Sequence, residues 1–500
     1  MKRTSSILAL CLLAACGPKP SGEWKGRGIL VIAIDALRAD HVSGLGYDRQ
    51  TTPVLDGLAA QGTIFSAAWS ASPDRLAAHA AVLTGCDPRL AQRPNVKVTG
   101  RESELASWYI PDALPRLPQQ FLANGFETAA FVDDPALGQV HGFAKGFQQL
   151  RSFGESESVP STQIGFDGVA SKFMSWLNSH PPARSWFAYM HVADLERVWQ
   201  RTEIDPHWDT FFEPRPELSQ VPAVADGEHV FFAIPRGRWS GGTLSLGEYE
   251  ARYDGALRQL DTKLARLFDN MRRRGWLENT TIVIVGSYGV SLGESGLYVD
   301  SGTLSDSDLR VPLIVRPSLK FEGPRGVKAD VLISALDIAP TLFALHDVAI
   351  PAAMQGVSQL NSLHGDATPA REYAYASGGL QRGTLAVDAR WCLETSDPGA
   401  GLDPRTVRSW FGDALDHSGE QRTFLHDRLL DTQAGHLDGS FDCTAARERL
   451  FGAQKQWFDR IDEARRILHR PGQARAEEAG SVIEDLVKRG LLGRAERARE

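Results

Sequence analysis

Five short apolar runs, each bounded by turn residues, constrain the fold of this 500-residue chain more than any other feature. They are GILVIAID (28–35), TAAFVDD (128–134), SWFAYMHVAD (185–194), TTIVIVGS (280–287) and VPLIVRP (311–317). Continuous apolar runs of this length are typical of parallel strands that are covered on both faces. Helical patterns with apolar residues three and four apart lie between them, at 51–62, 113–125 and 247–275. The alternation predicts a doubly wound, mostly parallel α/β sheet flanked by helices, over residues 27–348.

Three further segments depart from this alternation. Residues 198–246 are rich in Pro, Gly, Trp and Phe, which predicts a long insertion near one edge of the sheet. Its aromatic residues either form a binding surface or pack as a local core under the loop. Shorter strands and turns predict a smaller C-terminal α+β subdomain over 349–445, and the charged residues 446–500 predict a helical tail with a solvated face.

The N-terminus has the pattern of an export signal. Lys2 and Arg3 precede the apolar residues 7–15, a run too short to span a bilayer, so residues 1–15 are interpreted as a signal peptide. The segment LAAC that ends at Cys16 resembles the bacterial lipobox, which implies that Cys16 is acylated and that residues 16–26 form a lipidated tether. The predicted location is the bacterial cell envelope, at the outer membrane. The alternative is an ordinary signal peptide that happens to contain a cysteine.

Three cysteines remain once Cys16 is lipidated. Disulfides persist outside the cytoplasm, and Cys392 and Cys443 both lie in the C-terminal region, so we expect these two to pair. Cys86, after a Thr-Gly turn, is expected to be a buried free thiol.

The composition excludes some classes of function. With 42% hydrophobic and 23% charged residues the chain is ordinary globular protein, and its formal net charge is −8. Nucleic-acid binding needs a concentrated basic surface, and a chain with net negative charge gives no reason to expect one. We therefore expect no nucleic-acid partner.

Blocks along nearly the whole chain resemble the sulfatase branch of the alkaline phosphatase superfamily. The blocks are VIAIDALRADHVSGLGYDRQTTPVLDGLAAQGTIFSAAWSASP (31–73), LTG (83–85), DLRVPLIVRP (308–317), ISALDIAPTLFALHDVAIPAAMQG (333–356), LLDTQAGHLDG (429–439) and SVIEDLVKRGLLG (481–493). The resemblance implies a protein of that fold. Members hydrolyse sulfate or phosphate esters with a nucleophile at a helix N-terminus, beside one or two divalent cations.

The resemblance also assigns residues to metal-binding positions. Asp35, at the end of the first run, occupies the position of the leading metal-binding Asp. Ser287 and Tyr288 stand where the family has an Asp and a His that coordinate metal. A hydroxyl and a phenol are poor replacements for these ligands. Asp35 is therefore the only clear surviving ligand.

The reactive positions are altered as well. Counting back from the Thr-Gly pair places Arg75 at the nucleophile position, with His79 four residues later; a register anchored on the preceding Pro places Ala71 there instead. Neither residue is a nucleophile. In the third block His191 is retained, and Glu196 replaces the second His.

These replacements predict a catalytically degenerate sulfatase, without a cofactor, acting as an envelope binding or scaffolding module. Its partners would be membrane lipid, through acylated Cys16, and an unknown envelope ligand or protein. Arg75 is expected to face Asp35 and to substitute for the metal cation. The alternative is an active, metal-dependent sulfuric or phosphoric ester hydrolase that uses calcium or another divalent metal. Its rebuilt site would contain His79, His191, Asp194 and Glu196.

Overall fold

The computed structural model covers most of the chain after the predicted tether. It describes residues 27–93, 107–152, 165–181, 184–199, 211–227, 232–239, 244–294, 296–380, 383–396, 422–427, 441–469 and 476–493. The predicted signal peptide, Cys16 and the tether lie outside the described residues, as do residues 429–439. The insertion at 198–246 is described in part.

An eight-stranded sheet forms the centre of the protein, in the order β12-β2-β11-β8-β1-β5-β3-β4. Its strands are β1 (Gly28–Ile34), β2 (Thr63–Trp69), β3 (Glu127–Val132), β4 (Gln149–Ser152), β5 (Trp186–Val192), β8 (Thr280–Gly286), β11 (Leu313–Arg316) and β12 (Val327–Ser334). Strand β1 pairs in parallel with both β5 and β8, and all of its residues are buried. Alternate residues of β1 point into the two hydrophobic cores on opposite faces of the sheet. The predicted fold class is confirmed.

The prediction that the run at 311–317 forms a parallel strand is wrong. Strand β11 is antiparallel to both of its neighbours, β2 and β8. A parallel connection needs a crossover to the opposite end of the sheet, usually through a helix. Between β8 and β11 the described residues form only the short strands β9 (Ser291–Leu292) and β10 (Tyr298–Asp300) and a single helical turn. It therefore enters β11 from the end at which β8 finished.

Helices cover both faces of the sheet. They are α1 (Pro53–Ala59), α2 (Arg75–Thr84), α3 (Leu117–Ala123), α4 (Phe166–Ser179), α5 (Leu246–Arg273), α6 (Asp306–Leu309), α7 (Ile338–Leu345) and α8 (Leu360–Leu363). A capping box fixes the start of the longest of these, α5, because the Ser245 side chain accepts from the Glu248 backbone and the Glu248 side chain accepts from the Ser245 backbone. The helices predicted at 51–62, 113–125 and 247–275 are all present.

The C-terminal region forms a second, four-stranded antiparallel sheet. It consists of β13 (Ala374–Gly378), β14 (Gly383–Val387), β15 (Trp391–Ser396) and β16 (Arg422–Asp427). Helix α9 (Phe441–Leu468) packs on this sheet, and it is followed by α10 (Ala476–Lys488). The predicted boundary between 445 and 446 falls inside α9. Its apolar residues Leu450, Trp457 and Ile461 are buried, so this helix is part of the core rather than a solvated tail.

Some expectations about anchoring and cross-links stay predictions. Cys392 lies on β15, but the side chain of Cys443 is outside the described residues, so their pairing is untested.

Within the insertion, the short strands β6 (Ala223–Ala225) and β7 (Ala233–Pro235) pair with each other. Phe232 and Trp239 beside them are 64% and 40% exposed, so these two aromatic rings are not core. Across the described ranges, no helix is both long and apolar enough to cross a bilayer.

Candidate functional site

Polar side chains gather at the carboxyl edge of the central sheet. Asp35 follows β1, Asp134 lies two residues after β3, Glu196 begins a short 3₁₀ turn after β5, and Ser287 follows β8. The carboxyl ends of parallel strands meet at one edge, where α/β proteins form their sites. Helix α2 begins at the same edge with Arg75. Residues far apart in the sequence are thereby brought together.

Asp35 is the buried centre of this cluster. Its Oδ1 lies 3.0 Å from Nε2 of His79, and its Oδ2 lies 2.9 Å from Nε2 of His191. The hydroxyl of Ser287 also donates to Oδ1, and Nε of Arg75 lies 3.0 Å from Oδ2. The predicted contact between Arg75 and Asp35 is therefore present.

The neighbours of Asp35 keep it ionised. Burial by itself raises the pKa of this carboxyl, but the imidazoles of His191 and His79 and their hydrogen bonds outweigh burial. The net pKa of Asp35 lies well below its usual range. Burial lowers the pKa of His79 despite the opposing effect of Asp35, so His79 is neutral near pH 7. The cluster thus contains a stable buried anion.

Arg75 contacts a different carboxylate with each of its three nitrogens. Besides Nε on Asp35, Nη1 donates to Asp134 and Nη2 donates to Glu196. The phenol oxygen of Tyr288 lies 3.4 Å from Nε. Burial by itself lowers the pKa of Arg75, but the opposing effect of Tyr288 and the three carboxylates is larger. The net pKa of Arg75 is therefore well above its usual value. The guanidinium is permanently charged, and each of its three nitrogens contacts a carboxylate.

The two histidines are oriented by contacts on their far nitrogens. Nδ1 of His79 lies 2.6 Å from the hydroxyl of Tyr189. The backbone N–H of Asp133 donates to Nδ1 of His191 over 3.1 Å. A nitrogen that accepts a hydrogen bond carries no proton, so the ring proton of His191 sits on Nε2, directed at Asp35.

The divalent cation that the sulfatase resemblance implies does not fit these donors. A carboxylate oxygen of Asp35 and one ring nitrogen each of His79 and His191 lie within 4.8 Å of one another, as a metal site would need. However, both oxygens of Asp35 already accept hydrogen bonds, and Nε2 of His191 is protonated, whereas a metal ligand must be unprotonated. Calcium would require six to eight oxygen ligands. The guanidinium of Arg75 supplies the positive charge instead.

The hydroxyl groups near the start of α2 face away from this cluster. Ser70 donates to the backbone carbonyls of Ser72 and Ser287, and the Ser72 side chain contacts Asp74. Asp194, which the alternative hypothesis places in the site, accepts from the Phe166 backbone at the start of α4. These groups are structural.

Sequence reasoning did not assign roles to Asp133, Asp134, Arg197 and Tyr189. Arg197 donates to both the side chain and the backbone carbonyl of Asp133, which fixes the loop after β3. The signal that could have found the two aspartates is their position at the end of the predicted strand 128–134, at the edge of the sheet that Asp35 shares. Tyr189 had no such signal, because it lies inside an apolar run.

The sequence profile of the sulfatase family matches residues 27–348. The chain belongs to the sulfatase family. Its relatives in that family include the Δ4,5-hexuronate-2-O-sulfatase of Bacteroides thetaiotaomicron, 24% identical over 383 residues that cover 71% of this chain and 75% of the relative. A sulfatase of Formosa agariphila is 21% identical over 450 residues, covering 78% of this chain and 84% of the relative.

Solved structures agree with this sulfatase fold. The phosphonate monoester hydrolase of Agrobacterium radiobacter superposes with a TM-score of 0.64 at 17% identity, covering 86% of this chain and 96% of the other. A 2-O GAG sulfatase superposes with a TM-score of 0.62 at 17% identity, covering 88% and 92% of the two chains. At these identities the likeness concerns the fold alone.

Proposed function

We propose that this sulfatase-family protein is a catalytically degenerate binding or scaffolding module of the bacterial envelope, held there by acylated Cys16. The observation that carries the proposal is the position of Arg75. It is the first residue of α2, the position assigned to the nucleophile, and its guanidinium contacts Asp35. The catalytic oxygen or sulfur and the metal are thus both replaced by one side chain.

The charge of the site supports this proposal. Ester hydrolysis of the family type needs positive charge to approach a dianionic ester and to stabilise the transferring group. Here Asp35, Asp134 and Glu196 surround the single guanidinium of Arg75, which leaves a formal excess of two negative charges. At about 4 Å and an effective dielectric near 20, each like-charge contact costs about 4 kcal/mol. The site would repel a sulfate or phosphate ester.

A second candidate is an active ester hydrolase with a rebuilt site. The proximity of His79, His191 and Asp35 favours it, because this set resembles a metal centre. The relatives are named as sulfatases, and a phosphonate monoester hydrolase shares the fold.

Metal content and ester turnover separate the two candidates. The purified exported protein would be assayed with aryl sulfates, aryl phosphates and phosphonate monoesters, with and without added calcium or zinc, and its bound metal would be quantified. We expect no stoichiometric metal, and any residual turnover equal in the wild type and in Asp35→Ala. Stoichiometric metal with turnover that Asp35→Ala abolishes would overturn the degenerate assignment and establish the hydrolase.

The envelope location has its own test. Cys16→Ser is expected to release the protein from washed membranes and to abolish incorporation of labelled fatty acid. Cys11→Ser is the matched control, because Cys11 lies in the same signal segment but not at the lipobox position. Persistence of the Cys16→Ser variant in washed membranes would refute lipid anchoring.

A further inference from the structure

The carboxylates around Arg75 come from three separate strand ends, and two of them, Asp35 and Asp134, are held by contacts other than Arg75. His79, His191 and Ser287 hold Asp35. The backbone N–H of Ala136 donates to Asp134 over 2.7 Å. Because these supports belong to other parts of the fold, the arrangement is pre-organised for a cation.

The shape of the site matches one kind of cation. A guanidinium is planar and offers its hydrogen-bond donors along three edges. Asp35, Asp134 and Glu196 each take one nitrogen of the Arg75 fork. A lysine ammonium is a compact point charge without such a planar fork.

Helix α2 does not explain why Arg75 is held here. The N-terminus of a helix carries partial positive charge, which disfavours a cation in the first turn. Arg75 is the first residue of α2, yet its side chain is folded onto the carboxylates and is only 23% exposed. The attraction of the carboxylates therefore outweighs the repulsion by the helix end.

We propose that the former ester pocket is a guanidinium-binding pocket, formed by Asp35, Asp134 and Glu196 and filled from within by Arg75. This inference rests on the proposed function and states which cation the carboxylates select: they take a guanidinium, which Arg75 supplies in the wild type, and they exclude oxyanion esters. Removing the internal guanidinium leaves a vacancy that free guanidinium or methylguanidinium fills. Arg75→Lys does not restore the contacts, because lysine retains the charge but lacks the fork.

The test is chemical rescue of Arg75→Ala, followed by thermal unfolding. Guanidinium chloride would be added at about 10 mM, far below the molar concentrations that denature proteins, and compared with sodium chloride at equal ionic strength. We expect the variant to melt below the wild type and guanidinium, but not sodium, to restore at least half of the loss in a saturable manner. The wild type is expected to gain nothing. Arg236→Ala, at a side chain 60% exposed, is the control and should show no rescue.

Equal melting temperatures of Arg75→Ala in the two salts would overturn the pocket, and so would stabilisation by sulfate or zinc in place of guanidinium. If Arg75→Ala does not accumulate, Arg75→Asn is tested in the same way, because its shorter, uncharged side chain leaves the guanidinium position open. The readout is independent of catalysis. A wild type that hydrolyses esters refutes the proposed function, whereas failed rescue with an inactive wild type refutes only the pocket.

Discussion

The backbone N–H of Asp133 donates to Nδ1 of His191, on the side of the ring opposite Asp35. A metal-binding histidine usually does the reverse: its second nitrogen donates to a carboxylate or a carbonyl, which leaves the first free for the metal. The hydrogen bond at Nδ1 of His191 thus runs in the direction opposite to that of a metal-binding histidine. Its donor is the main-chain N–H of Asp133, so the histidine itself need not be substituted to reverse it.

We expect the ring proton of His191 to sit on Nε2, because Nδ1 accepts the Asp133 N–H. Histidine-selective ¹⁵N labelling would measure this, because the chemical shifts of protonated and unprotonated ring nitrogens differ widely. Zinc added at stoichiometric concentration should leave both His191 signals in place. An unprotonated Nε2, or a zinc-induced shift at Nε2 in the wild type, would contradict this placement of the proton. His191→Gln assigns the signals.

The glycine after Tyr288 is expected to be indispensable for packing. A Cβ added to Gly289 would lie 1.9 Å from the backbone oxygen of Ser307, and the Gly289 N–H donates to the Asp308 carbonyl over 2.7 Å. Gly289→Ala should therefore lower the free energy of unfolding by about 2 kcal/mol or more, measured by urea denaturation.

Gly57 provides the matched control for that substitution. It lies in α1, and a Cβ there would meet nothing within 4 Å. Gly57→Ala should raise the free energy of unfolding by about 0.5–1 kcal/mol, because alanine loses less backbone entropy in a helix. Equal effects of the two substitutions would show that the Gly289 backbone can move aside.

His346 is expected to make the protein acid-sensitive. It is buried, with Nε2 3.1 Å from the Thr281 hydroxyl, and burial together with the charge of Arg27 lowers its pKa to about 3. An unfolded histidine titrates near 6.5, so the unfolded state binds a proton first as the pH falls. The neutral imidazole therefore stabilises the fold above about pH 6.5, and this contribution is lost toward pH 3 at up to about 1.4 kcal/mol per pH unit.

His346→Gln should remove that part of the pH dependence. Urea denaturation of the variant and the wild type between pH 7 and pH 4 measures the difference in slope. His364→Gln, at an exposed histidine, should follow the wild type. Parallel curves for His346→Gln and the wild type would contradict the assignment.

Trp457 is expected to stabilise the attachment of α9. Its Nε1–H donates to Oδ2 of Asp87 over 2.7 Å, and burial raises the pKa of this carboxyl while Trp457 opposes the rise. Trp457→Phe keeps the ring but leaves the buried carboxylate short of a donor, at a cost of about 1–3 kcal/mol in the free energy of unfolding. Trp239→Phe, at an exposed ring, should cost little by the same denaturation measurement. Equal losses would show that the hydrogen bond contributes nothing.

The sequence predicted those features that depend on local patterns of apolar residues or on the residue spacing within a recognised family motif. The five apolar runs all form strands, and Arg75 lies at the start of its helix in contact with Asp35, because counting within the Thr-Gly frame preserves the helical register. The direction of β11 was not predictable in this way, since burial on both faces leaves the same pattern in either direction.

Two other features depend on long-range contacts that no local pattern contains. The convergence of Asp134 and Glu196 on Arg75 follows from the order of strands in the sheet, which the alternation of strands and helices does not determine. The hydrogen bond at His191 comes from a main-chain N–H 58 residues away in the sequence, so the residue type at position 191 gives no sign of it.

Helix α9 contacts two distant parts of the molecule at once. It packs on the small C-terminal sheet, and its residues Trp457, Phe458 and Ile461 belong to the same hydrophobic core as Val82 and Leu90. The stretch that the family profile recognises, 27–348, ends before this helix begins. A chain cut at that boundary would expose apolar surface that the whole protein covers, and it would be prone to aggregate. The stretch that the family profile matches is therefore shorter than the part of this chain that packs around one core.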